Sequence, residues 1–239
     1  MISQLLSHTA GFSYEFTSPV LLRWARNDGR NVRRAQWNKK EITTPLAFAP
    51  GEGWSYGVNT DWAGQVLEHI TGQSLGQYMQ EHIFDPLGMA DTSFWPNKVP
   101  QTQTKDRKIK IAMRNRKTGL LEPTSWDLPE EHETESGGGG LFSTAADYAR
   151  VLQAHLQGRL LKPETMKEML TPQLNEQQRS LFETIAFAPS VHDTFAPEFT
   201  LGTELSHGLA GMLNLHDVPG KRRALSVAWS GMHNSRWVS

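Results

Sequence analysis

The sequence contains no cysteine, which excludes disulfides, thiolate metal sites and a cysteine nucleophile. It has no apolar run near the roughly 20 residues that a membrane-spanning helix requires, and the residues after Met1 lack the basic and apolar regions of a signal peptide. No compartment can be assigned from this. Charge of one sign is equally scarce: 24 basic and 25 acidic side chains leave a formal net charge of −1. Nothing in that balance favours nucleic acid or an anionic membrane as partner. Internal repeats are absent, and the only low-complexity tract is Gly137 to Gly140.

What the chain does have is aromatic bulk. Eight Trp and ten Phe are spread over 239 residues, a pattern of globular chains, and the length suits one large domain or two small ones. The opening stretch MISQLLSHTAGFSY reads as the end of a buried helix, with Leu5 and Leu6 inward and His8, Thr9 and Gly11 closing it. Between Ser18 and Lys40 lies a basic cluster (Arg23, Arg26, Arg30, Arg33, Arg34, Lys39, Lys40), read as a solvated helix face and loop.

Helical spacing of Trp62, Ala63, Val66, Leu67 and Ile70 predicts a helix from Thr60 or Asp61 to Gly72. Ser74 and Gln77 form a capping box for a second helix, with Leu75, Tyr78, Met79 and Ile83 inward, stopping before Pro86. Residues 105–123 read as a hairpin turning at Gly119, and residues 127–136 as an acidic loop. Ser143 or Thr144 caps a helix bearing Tyr148, Val151, Leu152 and Leu156, and Pro163 starts another. Residues 207–215 and 222–229 read as two strands joined at Pro219-Gly220.

Single motifs carry little chemistry. Gly53-Trp54-Ser55-Tyr56-Gly57 matches the G-x-S-x-G pattern of an α/β-hydrolase nucleophile elbow, but a turn precedes it and its helix starts late, so Ser55 as nucleophile is a remote alternative. Lys117-Thr118-Gly119 matches a K-T-G element, yet turn chemistry accounts for it at a hairpin tip. A zincin pattern needs a histidine four residues after His132, where Ser136 stands, so no metal site is expected. The four glycines lack the lysine and hydroxyl of a phosphate-binding loop, and close backbone packing is the expected reason for them.

Four ordered blocks together resemble the serine β-lactamase-like superfamily: class C β-lactamases, D-alanyl-D-alanine peptidases and, most nearly, the family VIII carboxylesterases. They are LLSHTAGF (5–12), the run from Trp54 to Phe94 that ends at PLGM-x-x-T, SGGGGLFSTAADYARVLQAHL (136–156), and Trp229-Ser230-Gly231. The resemblance implies an α+β fold, a mostly helical domain plus part of an antiparallel sheet. Residues 1–239 form a partial domain of that kind, mainly helix and loop over 1–200 and sheet strands over 201–239. It implies a carboxylesterase forming an acyl-serine intermediate on a small ester or amide, without cofactor.

The same resemblance gives Tyr56 the catalytic role of relaying protons to and from the nucleophilic serine, a task that requires a nearby cation because a free phenol titrates near pH 10. Trp229, Ser230 and Gly231 line the opposite wall on a strand edge, where a backbone N–H faces the acyl oxygen. The β-lactamase pattern has asparagine two residues after the tyrosine; here Val58 stands there and Asn59, displaced by one, is left as the candidate support of the tyrosine motif, a displacement that favours the esterase reading.

The largest departure is the S-x-x-K motif that holds nucleophile and lysine: no serine in the sequence has lysine three residues later. The resemblance places that motif before Met1, and a closing strand and helix after Ser239. The chain as given is therefore expected to be inactive; the alternative is a short, non-catalytic homologue used for binding.

Overall fold

Capping chemistry sets most of the helix boundaries. The computed structural model describes residues 1–30, 36–98, 108–124, 128–129, 131–189, 191–231 and 235–239. Helix α1 (Ile2–Leu6) opens the chain, and its residues are exposed or half-buried rather than core as expected. Helix α2 (Pro19–Asn27) has Pro19 in its first turn and Ser18 accepting the Leu21 N–H; Asn38 caps α3 (Lys39–Ile42). Arg30, from the basic cluster, lies over Trp24 at 4.3 Å and donates to the Thr43 carbonyl at 2.9 Å. It is a structural clamp, while Arg33 and Arg34 lie outside the described residues.

Helix α4 (Asn59–Thr71) ends where expected, at Gly72 with φ 70°, the left-handed geometry that glycine adopts without penalty. The Ser74–Gln77 capping box starts α5 (Leu75–Met79), but the chain does not stop before Pro86. A π-helical turn (Gln80–Phe84) leads into α6 (Asp85–Leu87). The turn resets the hydrogen-bond ladder, so Pro86 falls in the first turn of α6, where its missing N–H costs little. Thr144 caps α7 (Ala145–Leu156), and α8 (Pro163–Met169) begins on its proline. The sequence reading missed α9 (Glu176–Ala186), which has its own capping box from Asn175 and Gln178; α10 (His192–Phe195) follows.

Strands β1 (Ala112–Arg114) and β2 (Leu121–Pro123) form the expected hairpin, with Gly119 at φ 73° in its turn. Lys117 and Thr118 are exposed at that tip, as turn chemistry requires. The main sheet is antiparallel in the order β3 (Leu205–His207), β4 (Met212–Asn214), β5 (Val227–Ser230) and β6 (Arg236–Val238). The predicted single strand 207–215 is thus a hairpin. Gly208 donates to the Gly211 carbonyl at 2.8 Å across its turn, and a Cβ at Gly208 would lie 2.5 Å from the Met169 carbonyl oxygen. The predicted strand 222–229 begins only at Val227, because Arg222 bridges back to Val218 and Leu225 takes a positive φ of 62°.

Helix α9 packs against β3 and builds the core: Phe182, Ala186, Leu205 and Met212 join Trp54, Ala196 and Phe199. Two polar ties fix the junction, Leu205 N–H to Glu183 Oε1 at 2.9 Å and Gln178 Nε2 to the Gly51 carbonyl at 2.8 Å. The start of α4 is wrapped by the glycine run: Ser136 Oγ donates to Asp61 Oδ1 at 2.5 Å, and a Cβ at Gly138 would meet Asp61 Oδ2 at 2.5 Å. Close packing explains Gly137, Gly138 and Gly140, whereas a Cβ at Gly139 would meet nothing within 4 Å. The neighbouring acidic loop is not simply solvated, since Glu135 accepts from the Trp95 indole and the Gly76 N–H, both at 2.6 Å. Ile70, expected inward on α4, is 70% exposed; the buried side of that helix carries Asn59, Asp61 and Gly64.

Candidate active site

Residues 8–14 and 47–56 are laced together by their backbones, which brings two tyrosines into contact. The Thr9 carbonyl accepts from Gly51 N–H and the Gly11 carbonyl from Ala47 N–H, both at 2.8 Å; Ser55 N–H donates to the His8 carbonyl at 3.1 Å and Tyr14 N–H to the Tyr56 carbonyl at 3.3 Å. Gly57 permits this approach, because a Cβ there would lie 2.6 Å from Ser13 Cα. The Tyr14 and Tyr56 rings then meet edge to face at 5.3 Å.

Trp229 enters from β5, with its ring 5.3 Å from Tyr56. Burial pushes the Tyr56 phenol above its usual range, and Asp61 adds to the rise; the neighbouring Trp229 and Tyr14 side chains oppose it. Tyr14 is pushed well above its range, first by burial and then by the charge of Tyr56. No cation contributes to holding the Tyr56 phenolate, so at neutral pH the group is a protonated phenol. An ammonium close to a phenol lowers its pKa by roughly 1–3 units, and that contribution has no source among the described residues.

His8 and His207 complete the surround. The His8 ring lies 5.0 Å from Tyr56 and near-parallel to Trp229 (7°, 6.1 Å), and His207 stands edge-on to Trp229 at 5.5 Å. Burial, then the neighbouring His207, holds His8 well below its usual pKa, while burial takes His207 to about 4. Both rings are neutral near pH 7. Sequence reading gave His8 only the close of a helix and named neither His207 nor Tyr14 as a site residue; the chain has only four tyrosines, and Tyr14 lies two residues beyond the LLSHTAGF block.

The remaining expected site residues fall differently. Strand β5 is not a free edge, since β6 pairs with it, and Gly231 N–H is spent on the Ser235 carbonyl at 2.8 Å. Gly231 therefore offers no amide to an acyl oxygen. Ser230 Oγ donates to the Phe195 carbonyl at 2.9 Å. Asn59 is fully buried, with its amide nitrogen facing His8 Nδ1, the Phe12 carbonyl and the Ser55 carbonyl. Ser55 Oγ lies 2.7 Å from Ser13 Oγ, which in turn lies 2.8 Å from Thr17 Oγ1, which donates to the Tyr14 carbonyl. The relay ends on a carbonyl and not on a base, and no strand enters it, so the nucleophile-elbow alternative fails. Among the described residues no group of three or more His, Asp or Glu is placed to hold a metal ion, and no helix is long and apolar enough to cross a membrane.

A family model described as beta-lactamase matches residues 1–238. The chain is 31% identical to lovastatin esterase of Penicillium rubens over 99% of its own length and 60% of that protein's. It is 30% identical to esterase EstB of Burkholderia gladioli over 70% of its length and 47% of that protein's. The solved structure of a simvastatin synthase mutant from Aspergillus terreus superposes with a TM-score of 0.86 at 32% identity, covering 100% of this chain and 56% of that one. The chain thus matches between 47% and 60% of the length of these relatives.

Proposed function

Since the chain belongs to the beta-lactamase family, we propose that it carries the tyrosine side of an esterase-type acyl-transfer site. The substrate class is a small-molecule ester, in keeping with esterase relatives such as lovastatin esterase and EstB. Tyr56 relays protons to and from a serine that becomes acylated, and Trp229, Ser230 and Gly231 form the wall facing it. The observation that carries this reading is the enclosure of the Tyr56 ring by Tyr14 and Trp229, each at 5.3 Å, with no cation holding its phenolate. Such a phenol is held in place but stays protonated until an ammonium is brought beside it. The 239 residues hold no S-x-x-K pair, so alone they hydrolyse neither esters nor lactams.

Tryptophan at 229, where a lactamase carries the lysine of K-T-G, and the inward turn of Asn59 support ester over lactam as substrate. A chimaera tests this: the part of lovastatin esterase that precedes the matched region, joined ahead of Met1. Hydrolysis of a p-nitrophenyl ester is expected, in preference to a chromogenic cephalosporin, and Tyr56→Phe is expected to lower kcat at least about 100-fold. Turnover indifferent to Tyr56, or a preference for the cephalosporin, would contradict the reading.

A further inference from the structure

The near-zero net charge conceals a local imbalance. The β1–β2 hairpin, residues 108–124, carries Lys108, Lys110, Arg114, Arg116 and Lys117 against a single acid, Glu122, and has no aromatic side chain. Its two strands form a sheet of their own. Every residue from 109 to 123 is exposed except Ile111 and Asn115, which are half-buried. Ile109, Met113, Leu120 and Leu121 are between 57% and 90% exposed. A two-stranded hairpin is only marginally stable in water by itself, and large apolar side chains gathered in solvent on one projecting element mark an interaction surface.

Charge and geometry together select the partner. Lys110, Arg114, Arg116 and Lys117 form no ion pair among the described residues. The one acid, Glu122, accepts from the Asn115 amide at 2.9 Å, so the positive charge of the hairpin is uncompensated. Successive residues of a strand point to opposite faces, which puts Leu120 and Leu121 on opposite sides. The register sets Met113 beside Glu122 on the first side and Arg114 beside Leu121 on the second. A folded protein partner covers one face of such a ribbon, whereas a lipid interface receives both and takes the cations at its headgroups. Nucleic acid fits less well, because sequence-tolerant binding of its strands relies on aromatic platforms for the bases. We propose that the β1–β2 hairpin docks the protein on an anionic lipid surface, with Met113, Leu120 and Leu121 entering the headgroup boundary and Lys110, Arg114, Arg116 and Lys117 against the lipid anions.

Sedimentation of the 239-residue chain with lipid vesicles tests this. Binding is expected to vesicles of phosphatidylcholine mixed with an equal amount of phosphatidylserine, and to weaken as salt rises. Phosphatidylcholine alone is expected to bind at least about 10-fold more weakly. The double variants Arg116→Glu/Lys117→Glu and Leu120→Ser/Leu121→Ser alter only exposed positions. Each, once shown to melt as the wild type does, is expected to bind the mixed vesicles at least about 10-fold more weakly. Because the chain has no cysteine, Leu120→Cys accepts a single polarity-sensitive label. Its emission is expected to shift to the blue on the mixed vesicles, while a label at Ser180→Cys, exposed on α9, stays unshifted. Equal binding to the two kinds of vesicle, undiminished binding by either double variant, or an unshifted label at position 120 would overturn the proposal. A dimer formed without lipid and dissociated by the leucine variant would also overturn it and assign the hairpin to a second copy of the chain. None of these readouts involves Tyr56, so their failure leaves the proposed reaction standing.

Discussion

Phe182→Ala is expected to destabilise the protein by about 3–5 kcal/mol, the cost of deleting a fully enclosed aromatic ring and leaving its cavity. Phe182 has 0% exposure and packs edge to face on Trp54 at 4.8 Å, with Phe195 at 6.1 Å and His207 at 6.0 Å. It therefore supports the site from beneath as well as joining α9 to β3. The effect reaches beyond stability, because Trp54 and His207 both touch His8. Urea unfolding of the wild type and the variant measures it. A loss under about 1 kcal/mol would mean that the Trp54–Phe182–Leu205 cluster is not the principal core.

Acid is expected to weaken the fold between pH 6.5 and about 4. In the unfolded chain an imidazole binds a proton below about 6.5, whereas folded His207 resists until about 4 and folded His8 is lowered in the same direction. The unfolded state then binds more protons across that window, so stability rises with pH. The contribution is complete above about 6.5 and is lost as the pH falls toward the folded value. For His207 alone the difference amounts to about 3 kcal/mol. Both rings are enclosed by aromatics rather than carboxylates: His207 by His8, Trp54, Phe182 and Trp229. Denaturant midpoints across this range should fall with acid in the wild type and flatten in His207→Gln. An unchanged slope in that variant would assign the acid sensitivity elsewhere.

The alkaline limb has the opposite sign. Tyr14 and Tyr56 have folded pKa values raised above the usual 10, by burial first in each case. The stability that they retain as protonated phenols is present below pH 10 and is lost as the pH climbs through the folded values.

Local signals in the sequence were legible wherever one residue type has one conformational use. Gly72 ends α4 and Gly119 turns the β1–β2 hairpin, both at positive φ, and Ser74 with Gln77 starts α5. The same box, Asn175 with Gln178, was missed because four polar residues in a row, Glu176 to Arg179, hide the inward Phe182 and Ala186. The β3–β4 hairpin was read as one strand because HGLAGMLNL is apolar on both faces. Two-residue alternation cannot mark a turn in a strand buried throughout; the Gly208 and Gly211 pair was the available signal.

The site was less legible than the fold. Tyr56 and Trp229 stood out by resemblance, but no periodicity brings residues so far apart in the chain into ring contact. The meeting depends on Gly57 against Ser13 and on the register that ends β4 pairing at Ala228. Asn59 had been read as support for the tyrosine motif through its displaced spacing. It instead turns inward to His8, because its position at the first residue of α4 faces the core and not the cleft.

On the proposed reading, these 239 residues hold Tyr56 in place but carry no S-x-x-K serine for it to act on. Intact-mass analysis after exposure to a fluorophosphonate, and separately to a penicillin, checks this. An unshifted mass is expected with both reagents. A stoichiometric adduct on any serine of the folded chain, Ser55 above all, would contradict it.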